Sequence, residues 1–82
     1  TIGVIATDAA LTREEANKLA SMAHDGLAMA IRPVHTSMDG DTIFGVSTCA
    51  LPQQPLLPIL AAAPTVMAMA VLDAVKSAEK HA

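Results

Sequence analysis

The chain opens on an unbroken apolar run. Ile2-Gly3-Val4-Ile5-Ala6 is rich in β-branched side chains and predicts a strand buried on both faces. Thr7 to Leu11 leaves it as a turn. Thr12-Arg13-Glu14-Glu15 is a capping-box pattern, with Thr12 as the N-cap and Glu15 three residues later. Behind it Ala16, Leu19, Ala20, Ala23, Leu27 and Ala30 recur at helical spacing, while Arg13, Glu14, Asn17, Lys18 and Asp25 can face water. The spacing predicts a helix from Arg13 to about Ile31, weakened at Gly26 by about 1 kcal/mol relative to Ala. Arg32-Pro33 ends it, because the residue before a proline is pushed out of the helical region.

After a loop from Val34 to Gly40, Thr42 to Thr48 reads as a second strand. The segment 51–64 carries four prolines, at 52, 55, 58 and 64, and reads as a linker draped over a surface. Thr65 is then placed to cap a last helix, Val66 to about Lys80. That helix has no clean apolar stripe; its first half is apolar nearly all round, which predicts burial there, and its end is charged. The order is strand-helix-loop-strand over 1–50, linker over 51–64 and helix over 65–80, an α/β class. Two strands make no stable sheet by themselves, so they are expected to join strands supplied by another polypeptide.

Composition sharpens that expectation. Of 82 residues 52% are hydrophobic and 16% charged, which is more apolar surface than a chain this short can hide in its own core. Residues 1–82 therefore read as one part of a larger body and not as an independent domain. The net charge is −3, with five Lys and Arg and one aromatic residue, Phe44. Without a basic cluster or a stacking platform, nucleic acid is discounted as a partner. Leu56 to Leu72 has no charge, but it is short for a spanning helix and is interrupted by Pro58 and Pro64, so no membrane span is expected. Ile2 to Ala6 is too short for a signal peptide and lacks a charged flank. Cys49 is the single cysteine; it suits a reducing, cytoplasmic setting and reads as a small buried hydrophobe.

Three places offer chemistry. A threonine at a true chain terminus combines a hydroxyl nucleophile with an α-amine of ordinary pKa about 7.7–8.0, able to take the hydroxyl proton directly or through one water. Thr1 fits that role if it is made by internal cleavage of a longer precursor; removal of an initiator Met or trimming gives the same first residue. Asp39-Gly40-Asp41 sets two carboxylates two residues apart, able to orient a hydroxyl or an ammonium, and equally an ordinary polar turn before a strand. Its spacing does not continue as a calcium loop. His24, His35 and His81 have no metal-ligand spacing with each other or with Cys49, so no metal and no cofactor is expected. The methionines at 22, 29, 38, 67 and 69 read as packing.

The opening Thr1-Ile2-Gly3-Val4-Ile5-Ala6-Thr7-Asp8-Ala9, the helix text Ala23-His24-Asp25-Gly26-Leu27-Ala28, and Ile31-Arg32-Pro33-Val34-His35-Thr36 running into Asp39-Gly40-Asp41-Thr42-Ile43-Phe44 resemble the small subunit of self-cleaving hydrolases of the L-aminopeptidase/D-esterase type, a family related to ornithine acetyltransferase. The specific wording covers about residues 1–50, and within the family it is nearest to hydrolases of linear polyamide (6-aminohexanoate, nylon-6) oligomers. The resemblance implies a precursor that cuts itself before a Ser or Thr, which becomes the nucleophile. It implies a four-layer αββα sandwich completed by a larger α subunit, which supplies a lysine and an asparagine to the site, with the αβ units assembled into higher oligomers. It implies that Asp39 and Asp41 position the nucleophile. The relatives carry Thr-Thr-Ile after the cut where this chain has one Thr before Ile2, so the nucleophile is either Thr1 or a residue immediately before it. The expected activity is cleavage of internal amide bonds through an acyl-enzyme; the alternatives are an aminopeptidase or acyltransferase of the same family, and a non-catalytic structural subunit.

Overall fold

The computed structural model describes residues 1–31 and 40–80. Strand β1 spans Ile2–Thr7, helix α1 Arg13–Ala30, strand β2 Thr42–Ser47 and helix α2 Leu56–Lys80. The strands pair in parallel, Ile2 opposite Thr42 through Thr7 opposite Ser47. A parallel pair needs a crossover of a dozen or more residues, and α1 is that crossover.

The capping box that predicted α1 is formed. Glu15 N donates to Thr12 Oγ1 at 3.1 Å, and Thr12 N donates to Glu15 Oε1 at 2.8 Å. The helix ends at Ile31, whose backbone is extended (φ −120, ψ 125). Its buried residues Leu19, Ala20, Ala23 and Leu27 form the core with Ile5 and Ile43 from the sheet and Ala63 and Met67 from α2.

Two close backbone approaches set the spacing of these layers. A Cβ at Gly26 would collide with the carbonyl oxygen of Pro64 and lie 2.7 Å from Met67 Cβ, so the glycine that weakens α1 is the point where α2 crosses it. A Cβ at Gly45 would collide with the Ala16 carbonyl, which brings β2 against the first turns of α1.

Two expectations from the sequence are corrected here. The 51–64 segment is not a linker throughout: the helix begins at Leu56, so Pro58 and Pro64 lie inside it and Thr65 is mid-helix instead of an N-cap. Pro58 lies in the first turn, where backbone N–H groups have no intrahelical partner to lose. Pro64 lacks the N–H that would bond the carbonyl one turn earlier, and the interhelical contact at Gly26 compensates by tertiary packing. The second correction concerns burial. Only Ala63, Met67 and Ala68 of α2 are buried; Leu57, Val66, Met69, Leu72 and Val75 are exposed in this chain. Strand β1 is likewise covered on one face only. Ile5 points at the helices, while Ile2 and Val4 are 80% and 62% exposed and share their face with Phe44 and Val46 of β2. The grounds for expecting no membrane span are corrected too: α2 runs 25 residues through both prolines, and an 18-residue stretch of it has a mean hydropathy of 1.9 with 17% of it buried, so by length and composition it is long and apolar enough to cross a membrane.

The glycine contacts give a stability prediction for the full-length protein. Gly26→Ala gains about 1 kcal/mol of helix propensity. It also forces a methyl group against a helix carbonyl, and overpacking of that kind costs about 1–3 kcal/mol. The clash involves backbone and not a flexible side-chain end, so it wins. Gly26→Ala and Gly45→Ala should both lower the urea midpoint. Gly3→Ala, whose Cβ would meet Met67 Cε at 3.5 Å and Ile43 Cγ1 at 3.6 Å, both ordinary contacts, should not. A Gly26→Ala protein more stable than wild type would contradict the crossing.

Candidate active site

The β1–β2 register decides what stands beside Thr1. Ile2 pairs with Thr42, so the residue before one strand meets the residue before the other: Thr1 faces Asp41. The Thr42 amide donates to the Thr1 carbonyl at 2.8 Å, which extends the ladder to this position. The Thr1 ammonium donates to Asp41 Oδ1 at 2.9 Å and to the Gly40 carbonyl at 3.2 Å. The Asp41 side chain is 2% exposed and that of Thr1 35%, so a screened carboxylate holds an amine that solvent still reaches. A charge-assisted bond of this length fixes the first residue by its nitrogen. Asp39 and His35, singled out from the sequence, lie outside the described residues, as do His81 and Met38.

Beside Thr1 lies an open groove of about 290 Å³ between β1, the end of α1 and the second half of α2. Gly3, Leu27, Ile31, Met67 and Val71 contribute to its walls, and among the described residues Thr1 is its one polar side chain. Among the described residues no three of His, Cys, Asp and Glu come together as a metal would require, and His24 lies on α1.

Cys49 departs from expectation. It is exposed and not a buried hydrophobe, and its backbone is left-handed with φ 57, an uncommon conformation for a residue with a Cβ. It follows a junction that sequence reading missed. Ser47 Oγ donates to the Ala9 carbonyl at 2.6 Å and accepts from the Leu11 amide at 3.1 Å, tying the end of β2 to the turn before α1. The partners are 38 and 36 residues away in sequence, so no local pattern signals them.

Comparison with known proteins adds what geometry alone does not. The pattern of peptidase family S58 matches residues 1–82. The chain belongs to peptidase family S58. This S58 chain is 43% identical over 96 residues to an uncharacterized aminopeptidase of Mycobacterium leprae (strain TN), a match covering 100% of the chain and 26% of that protein. An uncharacterized aminopeptidase of Mycobacterium tuberculosis (strain ATCC 25618 / H37Rv) is 54% identical over 55 residues, 67% of the chain and 16% of that protein. A 6-aminohexanoate-oligomer endohydrolase of Paenarthrobacter ureafaciens is 42% identical over 48 residues, 58% of the chain and 14% of that protein. The chain thus spans between 14% and 26% of the length of these relatives.

The ion pair makes a prediction about Asp41 in the mature protein. Removing the carboxylate takes away the bond from the Thr1 amine to Asp41, and hydrogen bonds to charged groups are worth about 1.5–3 kcal/mol. Asp41→Ala should lose stability of that order in chemical denaturation. Asp41→Asn, which keeps an acceptor but not the charge, should lose less. Equal stability in all three proteins would mean that the contact carries no weight.

Proposed function

We propose that this chain is the small, carboxy-terminal subunit of a self-cleaved amide hydrolase, with Thr1 as its N-terminal nucleophile. The observation that carries this is the β1–β2 register, which sets Thr1 beside Asp41 at the head of β1. A nucleophile needs a fixed position, and the start of a strand paired through the Thr1 carbonyl supplies one. The alternative within this reading puts the nucleophile on a residue immediately before Thr1, with Thr1 as its neighbour.

In the proposed reaction the threonine oxygen attacks the amide carbonyl carbon while its proton passes to a base, either its own amine or a lysine of the larger chain. The carbonyl oxygen becomes negative and is met by donors, for which an asparagine of the larger chain is suited. Collapse breaks the C–N bond, and the departing amine takes the proton. Water then attacks the ester, releases the acid and restores the hydroxyl. Asp41 acts as a positioning residue through its bond to the amine, and Asp39 is proposed to share that work. No cofactor enters this chemistry.

The larger chain from the same precursor is the proposed partner. It would cover the exposed sheet face of Ile2, Val4, Phe44 and Val46 and complete a four-layer αββα body, assembled into higher oligomers and residing in the cytoplasm. For substrate we propose internal amide bonds of linear polyamide oligomers, supported by the 42% identity to 6-aminohexanoate-oligomer endohydrolases. The second reading is an aminopeptidase, favoured by the name and the 54% identity of the mycobacterial relatives. Products separate the two: internal cleavage of an oligomer gives mixed lengths, and terminal cleavage gives monomers.

The test is made on the full-length protein. Its mature form should contain a chain whose first residue on sequencing is Thr1. Thr1→Ala should lower kcat by about 10³-fold or more, the scale seen when a covalent nucleophile is removed. Thr1→Ser should retain turnover. A fully active protein whose polypeptide is uncut before Thr1 would overturn the assignment, and a mature chain beginning one residue earlier would move the nucleophile there.

A further inference from the structure

We propose that the groove beside Thr1 is the subsite for the aliphatic acyl chain of the substrate, and that Ala70 and Ala74 set its width; this rests on Thr1 being the nucleophile. The groove is lined by Gly3, Leu27, Ile31, Met67, Ala70 and Ala74 among others, and among the described residues no charged side chain lines it. Thr1 contributes to the same lining, so a chain lying there is continuous with the position of attack. Ala70 and Ala74 are one helical turn apart on α2 and are the smallest side chains on its wall. Walls of Leu, Ile, Val and Met with two alanines and a glycine between them leave a trough for an unbranched methylene chain. They offer nothing to a carboxylate, an ammonium or an aromatic ring edge. A 6-aminohexanoate unit, the substrate named for one group of relatives, is such a chain between its amide groups.

Burial of methylenes gives the expected size of the effect. Each methylene desolvated by the groove should raise kcat/KM about three- to fourfold. In the mature full-length protein, linear acyl anilides from acetyl to octanoyl should therefore show kcat/KM climbing with length and then levelling. Ala70→Leu and Ala74→Leu keep a strong helix former on α2 while filling the trough. Either should lower the ratio of kcat/KM for hexanoyl over acetyl by about tenfold, equivalent to about two methylenes losing their contact. Val71→Ala, which widens the same wall, should move the levelling point to longer chains. Unchanged length profiles in all three variants would overturn the subsite while leaving Thr1 in place. Failure of Ala70→Leu and Ala74→Leu to assemble with the larger chain would overturn it too, since polypeptide would then fill the groove. Full turnover by Thr1→Ala across the series would instead remove the reading on which the subsite rests.

Discussion

The structure depends on one constraint, the parallel register of β1 against β2. It fixes Ile2 opposite Thr42 and so brings Thr1 to Asp41, residues at opposite ends of a forty-residue excursion. A slip of β2 by one residue would turn its side chains to the other face, exchanging Ile43 in the core for a neighbour such as Phe44. The register is held at its far end as well. Thr48 N donates to the Thr7 carbonyl at 3.0 Å, and Ser47 Oγ clamps the turn around Ala9 and Leu11. The helix layer holds it from one side, where Gly45 lets β2 sit directly on the Ala16 carbonyl. The position of a chemical group at the head of β1 is therefore a property of the whole β1–α1–β2 unit.

The same unit explains why so much apolar surface remains. One sheet face and one stripe of α1 bury each other, and α2 adds Ala63 and Met67 to that core. Ile2, Val4, Phe44 and Val46 on the other sheet face, and Leu72 and Val75 on α2, are exposed. The M. leprae relative is several times longer, the whole chain corresponding to 26% of it. Small residues appear where elements must approach (Gly26, Gly45, Ala63), and large ones where a surface stays open.

Much of this was legible in the sequence, and what was not has physical causes. Strand β1, the capping box at Thr12 and Glu15, and β2 after Asp41 follow local rules of propensity and hydrogen bonding, and they lie where those rules put them. The first turns of α2 do not, because Pro58 and Pro64 read as breakers. Position in the first turn excuses one, and packing against Gly26 compensates for the other, and neither is visible without the neighbour. Ser47 looks like any strand serine, and its two backbone partners belong to a turn nearly forty residues earlier. Asp41 was visible as a carboxylate near a strand. Its partner became definite only with the strand register.

The central claim is that the group held at the head of β1 attacks the substrate. It is tested most directly by mixing the mature full-length protein with a slowly deacylating amide or ester, quenching in acid and mapping the modified peptide by mass spectrometry. The account predicts an acyl group, in one-to-one stoichiometry with active sites, on the hydroxyl of the peptide that begins with Thr1. A stoichiometric adduct on any residue distant from the start of β1, or turnover with a burst of released amine and no adduct on that peptide, would contradict it.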